Sequence, residues 1–261
     1  LHSDPFKPSD FDRGIHEPAV LTRVQAILFD TFGTLVDWRS SLIRELSAFG
    51  RRRGAIADWP RLVDKWRAAY YPSMDRVRKG EQPWTILDAL HRQSLQGLVA
   101  ELGIDGLGPD DLDELTGAWH RLRPWPDVPG GMQRLAAHYF LGPLSNANVS
   151  LLMRLRKFTG LPWDVILGAD LWQHYKPDPE TYRGACRLLG LRPSEVMLVA
   201  AHNDDLRAAR AEGLRTGFIP RRAEYGPHQT KDFAPEEAWT VVAADLEDLA
   251  SLLCPESAAG E

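Results

Sequence analysis

Cysteine is almost missing from this chain: 261 residues hold only Cys186 and Cys254. Two thiols cannot frame a disulfide-stapled fold, so a reducing, cytoplasmic compartment is expected. Missing too is any apolar run near the roughly 18 residues that a membrane span requires. No internal repeat and no low-complexity tract is seen. The start is polar and has no apolar segment of leader type, so residues 1–19 are expected to form a loose N-terminal extension. Positive charge is not in excess: 31 Lys and Arg stand against 36 Asp and Glu, a net charge of −5. That balance argues against nucleic acid or an anionic membrane surface as the main partner. What remains is 44% hydrophobic and 26% charged, enough for one or two globular domains with a well-buried core.

Residues 24–29 form a short apolar run that ends abruptly at Asp30, the pattern of a buried parallel strand with a polar residue at its carboxyl end. Residues 40–53 place Leu42, Ile43, Leu46 and Phe49 at helical spacing, and Gly54 stops them. Up to about residue 127 only helical patterns follow, over 61–71, 85–102 and 110–123. Pro60, Pro83, Pro109 and Pro124 lie between or beside them as breakers. The pattern then alternates. Strands are expected at 139–144, 165–167, 196–200, 216–219 and 240–243, and helices at 131–138, from the Asn148 cap to Gly160, from Asp178-Pro179 to Leu189, and at 204–212 and 246–253. Pro143 fits badly, because it forfeits a ladder hydrogen bond inside an expected central strand.

Alternation of this kind implies right-handed crossovers and a parallel sheet covered on both faces. The expected fold is α/β: a doubly wound, Rossmann-like core of residues 20–38 and 128–261, with an inserted helical cap of residues 39–127. Ligands of such sheets bind outside the carboxyl ends of the strands. Asp30, Ser145, Asn146, His202, Asn203, Asp204 and Asp205 follow strands, and Lys176 stands in the loop after the 165–167 strand. A carboxylate, a hydroxyl, an ammonium and further carboxylates on one rim suit nucleophilic catalysis by Asp30, oriented by Lys176 and Ser145.

Phe29-Asp30-Thr31-Phe32-Gly33-Thr34-Leu35 resembles the first motif of the haloacid dehalogenase superfamily. Leu144-Ser145-Asn146 is similar to the second, Lys176-Pro177-Asp178-Pro179 to the third, and Asp204-Asp205 to the fourth. The resemblance covers roughly residues 22–253. Two departures point away from its phosphatases. Phe32 stands where they carry an acid for the leaving alkoxide, and Ala200 stands where they carry a carboxylate for Mg²⁺. The L-2-haloacid dehalogenase branch is closer. Trp66-Arg67 resembles its arginine segment, which implies that Arg67 holds the departing halide. Asn146 matches its other halide position, and Tyr182 its tyrosine. His202 replaces the usual Asn and resembles the subset that takes small substrates, including fluoroacetate.

The resemblance implies a two-step displacement on a short 2-haloacid. Asp30 attacks the α-carbon and halide leaves. Water then cleaves the Asp30 ester, positioned or deprotonated by Asp205 with His202. Lys176 keeps Asp30 anionic. Thr34, Ser145 and Tyr182 orient Asp30 or the substrate carboxylate, Phe32 lines the site, and Trp84 is the best tryptophan to wall the cavity. No cofactor, no metal ligand, no nucleic acid and no membrane is implied; a homodimer is left open. Plainer roles compete. Ser145-Asn146 suits a turn, Lys176 a solvated lysine, Arg67 one surface arginine among many, and His202 a structural histidine. A Mg²⁺-dependent phosphatase and a catalytically silent binding module stand as alternatives.

Overall fold

The computed structural model describes residues 11–254. Residues 1–10 of the expected extension lie outside the described residues. Its remainder is structured, with β1 (Gly14–Ile15) and a one-turn helix α1 (Pro18–Leu21) ahead of the buried strand β2 (Ala26–Phe29). β3 (Val36–Asp37) follows. Asp37 then caps α2 (Trp38–Arg53) by accepting a hydrogen bond from Ser40 N at 2.9 Å. Helices α3 (Trp59–Ala68), α4 (Tyr70–Arg78), α5 (Leu87–Glu101) and α6 (Pro109–Thr116) lead through a 3-10 turn to β4 (Arg123–Pro124). Then come α7 (Val128–Leu135), β5 (Phe140–Ser145), α8 (Val149–Thr159), β6 (Leu167–Gly168) and α9 (Pro179–Leu189). The chain closes with β7 (Val196–Ala200), α10 (Asn203–Ala211), β8 (Arg215–Phe218), β9 (Val241–Val242) and α11 (Leu246–Leu253).

One sheet runs in the order β1-β9-β8-β7-β2-β5-β6, parallel except where β1 joins β9. Its logic is visible in β2, whose four residues are all buried. Ile27 and Phe29 pack with Val128 and Met132 of α7, Leu151 of α8 and Leu246 of α11. Leu28, between them, packs on the other face with Ala185 of α9 and Leu206 of α10. Period-two alternation therefore divides a continuous apolar strand between two helix layers. This is the doubly wound α/β core expected. The helices α2–α6 lie between β3 and β4, which pair antiparallel and close that insertion at its base.

Pro143 is accommodated in β5. Phe140 N donates to Gln25 O on the β2 side, whereas Leu141 N donates to the Asp164 carboxylate on the β6 side. By alternation the Pro143 nitrogen faces β6, and β6 begins to pair only at Leu144↔Leu167. The missing N–H falls where no ladder has started.

Several expected boundaries differ. The 61–71 helix is two helices that break at Ala69. Pro72 has no N–H to offer the preceding turn, so it is tolerated only in the first turn of a new helix. The 110–123 helix stops at Thr116, and β4 lies in a stretch where no strand was expected, since two residues carry no periodicity. The 165–167 strand begins only at Leu167. Residues 14–21 are not a loose extension, because β1 pairs with β9 and prolongs the sheet edge.

Candidate active site

Asp30 leaves the end of β2 with its N–H bonded to Val199 O of β7. The turn that follows needs Gly33, whose φ is 88°, a region that L side chains avoid. This turn brings Thr34 back onto the Asp30 carboxylate. Thr34 Oγ1 donates to Asp30 Oδ2 at 2.8 Å and accepts from Ala201 N at 3.0 Å. From the loop before α9, Lys176 Nζ reaches Asp30 Oδ1 at 3.3 Å and Asp205 Oδ2 at 2.5 Å. Tyr182 donates its hydroxyl to Asp205 Oδ1 at 2.7 Å. Asn146 Oδ1 accepts from Lys176 N at 2.7 Å and so anchors the lysine loop to the end of β5. Ser145 is buried, with its hydroxyl accepting from Ala147 N at 3.2 Å. Its bond is thus a turn bond, and no hydrogen bond joins it to Asp30 among those described. His202, the residue before α10, places Nδ1 3.1 Å from Asp30 Oδ2.

Glu224 was not foreseen. It lies in the long connection after β8, and its Oε2 is 2.8 Å from His202 Nε2. Its Oε1 accepts from Trp38 Nε1 at 3.0 Å and lies 3.7 Å from an Arg67 nitrogen. A lone Glu in an irregular segment carries no sequence signal; only folding brings it under His202.

These charges set one another. Burial works against the Asp30 anion, but the charge of Lys176 and the contact with His202 hold its carboxyl well below the usual range. Burial likewise opposes the Lys176 ammonium, and Asp205 and Asp30 together push its affinity for the proton up. His202 is held well above an ordinary histidine: burial disfavours the cation, yet Glu224 and Asp30 prevail. Asp205 is pushed up by burial, an effect that Lys176 opposes and Asp30 reinforces.

Arg67 lies on α3 and is 5% exposed. One terminal nitrogen donates to Tyr225 at 3.2 Å, while its Nε and other terminal nitrogen have no partner among the described residues. The guanidinium carbon sits 4.2 Å from the centre of the Tyr70 ring and 5.3 Å from that of Trp38. Tyr70 in turn lies close enough to Asp30 and Asn146 to feel both. Arg67 therefore belongs to the interior and not to the surface set of arginines. Phe32 points into an aromatic cluster, 5.3 Å from Trp119 and 6.4 Å from Tyr70 between ring centres. A cavity of about 360 Å³ borders Arg67, lined also by Trp38, Tyr71, Tyr225 and Lys231. Trp84 is elsewhere. It packs on Tyr175 at 4.8 Å and lines a separate groove with Arg78 and His174. Its indole is held by the loop before α9, which explains why it does not wall the Asp30 cluster.

A divalent cation does not fit these residues. The Lys176 ammonium already lies between the carboxylates of Asp30 and Asp205. Among the described residues no group of three His, Cys, Asp or Glu side chains is arranged to hold a metal ion.

A family model for haloacid dehalogenase-like hydrolases matches residues 24–213. The chain belongs to the haloacid dehalogenase-like hydrolases. Within this family it is similar to the solved L-2-haloacid dehalogenase PA0810, with 56% identity and a TM-score of 0.86 over 88% of this chain and 98% of that one. The defluorinating L-2-haloacid dehalogenase Rha0230 is 49% identical, again with a TM-score of 0.86, over 88% of this chain and 95% of that one. (S)-2-haloacid dehalogenase 4A of Burkholderia cepacia is 28% identical over 241 residues, 85% of this chain and 96% of that protein. Phosphoglycolate phosphatases of the same family also match.

Proposed function

We propose that this hydrolase cleaves the carbon–halogen bond of short 2-haloacids and releases 2-hydroxyacids through an ester on Asp30. The observation that carries the reading is Arg67: a buried guanidinium with two unpartnered donor nitrogens, close to the nucleophile's neighbours. Buried donors without partners call for a ligand, and a guanidinium held over aromatic faces presents those N–H groups to a departing halide anion. Phe32 agrees, because a leaving halide needs no proton. The names of PA0810 and Rha0230 point the same way.

Asp30, kept anionic by Lys176, attacks the α-carbon and displaces halide toward Arg67 and Asn146. Water then adds to the ester, and Asp205 takes its proton. The raised proton affinity of Asp205 suits that task. The helices of residues 39–127 act as a cap that closes the site from water. Two free cysteines fit a reducing cytoplasm, and among the described residues no helix is long and apolar enough to cross a membrane. The likeness to Rha0230 and the presence of His202 extend the substrate range to fluoroacetate. The test is halide release from fluoro-, chloro- and bromoacetate, with a single turnover in ¹⁸O-water. Label should enter Asp30, and Asp30→Asn should abolish turnover in a folded protein. Label found only in the product would mean direct attack by water and would sink the covalent route.

A further inference from the structure

We propose that Glu224 is a positioning residue that locks His202 as a two-sided hydrogen-bond donor, so that His202 and Thr34 form the oxyanion site for hydrolysis of the Asp30 ester. The inference rests on the dehalogenase reading and begins from the two oxygens of Asp30, which are held unequally. Oδ2 faces Thr34 Oγ1 at 2.8 Å and His202 Nδ1 at 3.1 Å. Among the described residues, Oδ1 takes its hydrogen bond from Lys176, at the longer distance of 3.3 Å. The freer oxygen is the better nucleophile, so Oδ1 forms the bond to the α-carbon and Oδ2 becomes the ester carbonyl. When water adds to Cγ, the carbonyl electron pair moves onto Oδ2. Its two donors are already in place, as electrostatic preorganisation requires. The proton from water passes to Asp205. The Cγ–Oδ1 bond then breaks, and the product oxygen takes that proton. A second proton leaves to solvent as Asp30 regains its charge.

His202 cannot be the base in this step. Both its ring nitrogens face carboxylate oxygens, Asp30 Oδ2 on one side and Glu224 Oε2 at 2.8 Å on the other. An imidazole between two anions donates from both nitrogens and has no lone pair left for water. Glu224 is what holds this state once Asp30 is esterified and uncharged. Its carboxylate is 1% exposed and also meets Trp38 Nε1 and Arg67. Arg67 is surrounded by Tyr70, Tyr71 and Tyr225, while Asp30 is faced on its other oxygen by Lys176, which Asp205 shares. Gly33 provides the room: a Cβ there would lie 2.2 Å from Glu224 Oε1.

The experiment is Glu224→Gln in the full chain, followed by imidazole NMR and intact-mass measurement during turnover. In the wild type, His202 should stay doubly protonated through neutral pH. In the variant it should titrate lower, because one of its two anions has become an amide. Ester hydrolysis should slow by about 10- to 100-fold, the range found when the carboxylate that orients a metal-binding histidine is lost, here applied to a histidine that orients an oxyanion. The Asp30 ester should then accumulate as a mass adduct, and its breakdown should fail at lower pH than in the wild type. Glu224→Asp should recover part of the rate. A neutral His202 in the resting wild type, or a Gln variant that clears its ester at the wild-type rate, would overturn the proposal. The NMR titration needs no substrate. Absence of halide release by the wild type would therefore defeat the dehalogenase reading, while the His202 state would still decide the Glu224 clamp.

Discussion

At the scale of single residues, the proposed reaction depends on donors that stand where charge will appear. Arg67 shows this most sharply, because its Nε and one terminal nitrogen are buried with no partner among the described residues and its guanidinium stacks on Tyr70. Halide charge develops mainly in the transition state, so the guanidinium should act on rate more than on affinity. Arg67→Ala should lower kcat by about 10²- to 10³-fold, the range found for removing one donor to a developing anion, with a smaller change in KM. Steady-state halide release from chloroacetate measures both. A variant with near-wild-type kcat would leave Arg67 a purely structural role. Arg67→Lys should recover only part of the rate, since an ammonium cannot reproduce the planar fork or its stacking on Tyr70.

At the scale of elements, the strands that carry the site were legible because their burial is written as apolar runs. Residues 24–29 contain β2, and 196–200 are β7 itself. Asp30, Lys176, His202 and Asp205 fall together on that basis, Thr34 and Tyr182 join them through the family resemblance, and hydrogen bonds connect all six in the structure. Illegible were contacts made from irregular segments, which carry no periodicity or motif, and Glu224 on His202 is the clearest case. Caps were half-legible. Asn148 stands at the N-terminus of α8 as expected, but its side chain serves another helix. Its Oδ1 accepts from Asp88 N, 3.1 Å away in the first turn of α5. The α8 terminus is capped by Asp170, whose Oδ1 accepts from Val149 N at 2.9 Å. Side-chain chemistry predicts that a cap will form and leaves its owner undetermined. Asp170→Ala should therefore fray the start of α8, and Asn148→Ala the start of α5, each by about 1 kcal/mol. Amide hydrogen exchange resolves the two ends. Faster exchange at α8 in the Asn148 variant would reverse the assignment.

At the scale of the whole molecule, the buried charges of the site form a closed set. Asp30, Asp205 and Glu224 face Lys176, His202 and Arg67. Three anions meet three cations, and each cation is a side chain fixed by the fold. A haloacid adds one negative charge, on a carboxylate that the reaction leaves unchanged, and in the proposed displacement the charge of Asp30 passes to the departing halide. A phosphomonoester would add two, next to an ionised Asp30, and would require a further cation. Ala200 offers no ligand for one, and the ammonium of Lys176 holds the ground between Asp30 and Asp205. Phe32 offers no proton to a leaving alkoxide. Halide release should therefore persist undiminished after exhaustive chelation, and added Mg²⁺ should not create turnover of phosphomonoesters. Loss of halide release on chelation, restored by Mg²⁺, would mean that Asp205 swings away from Lys176 to bind metal. Turnover of phosphoglycolate with Mg²⁺ would instead favour the chemistry of the family's phosphatases. The charge set makes the opposite outcome the expected one: its six members already neutralise one another, so the site has no anionic excess with which to hold a divalent ion.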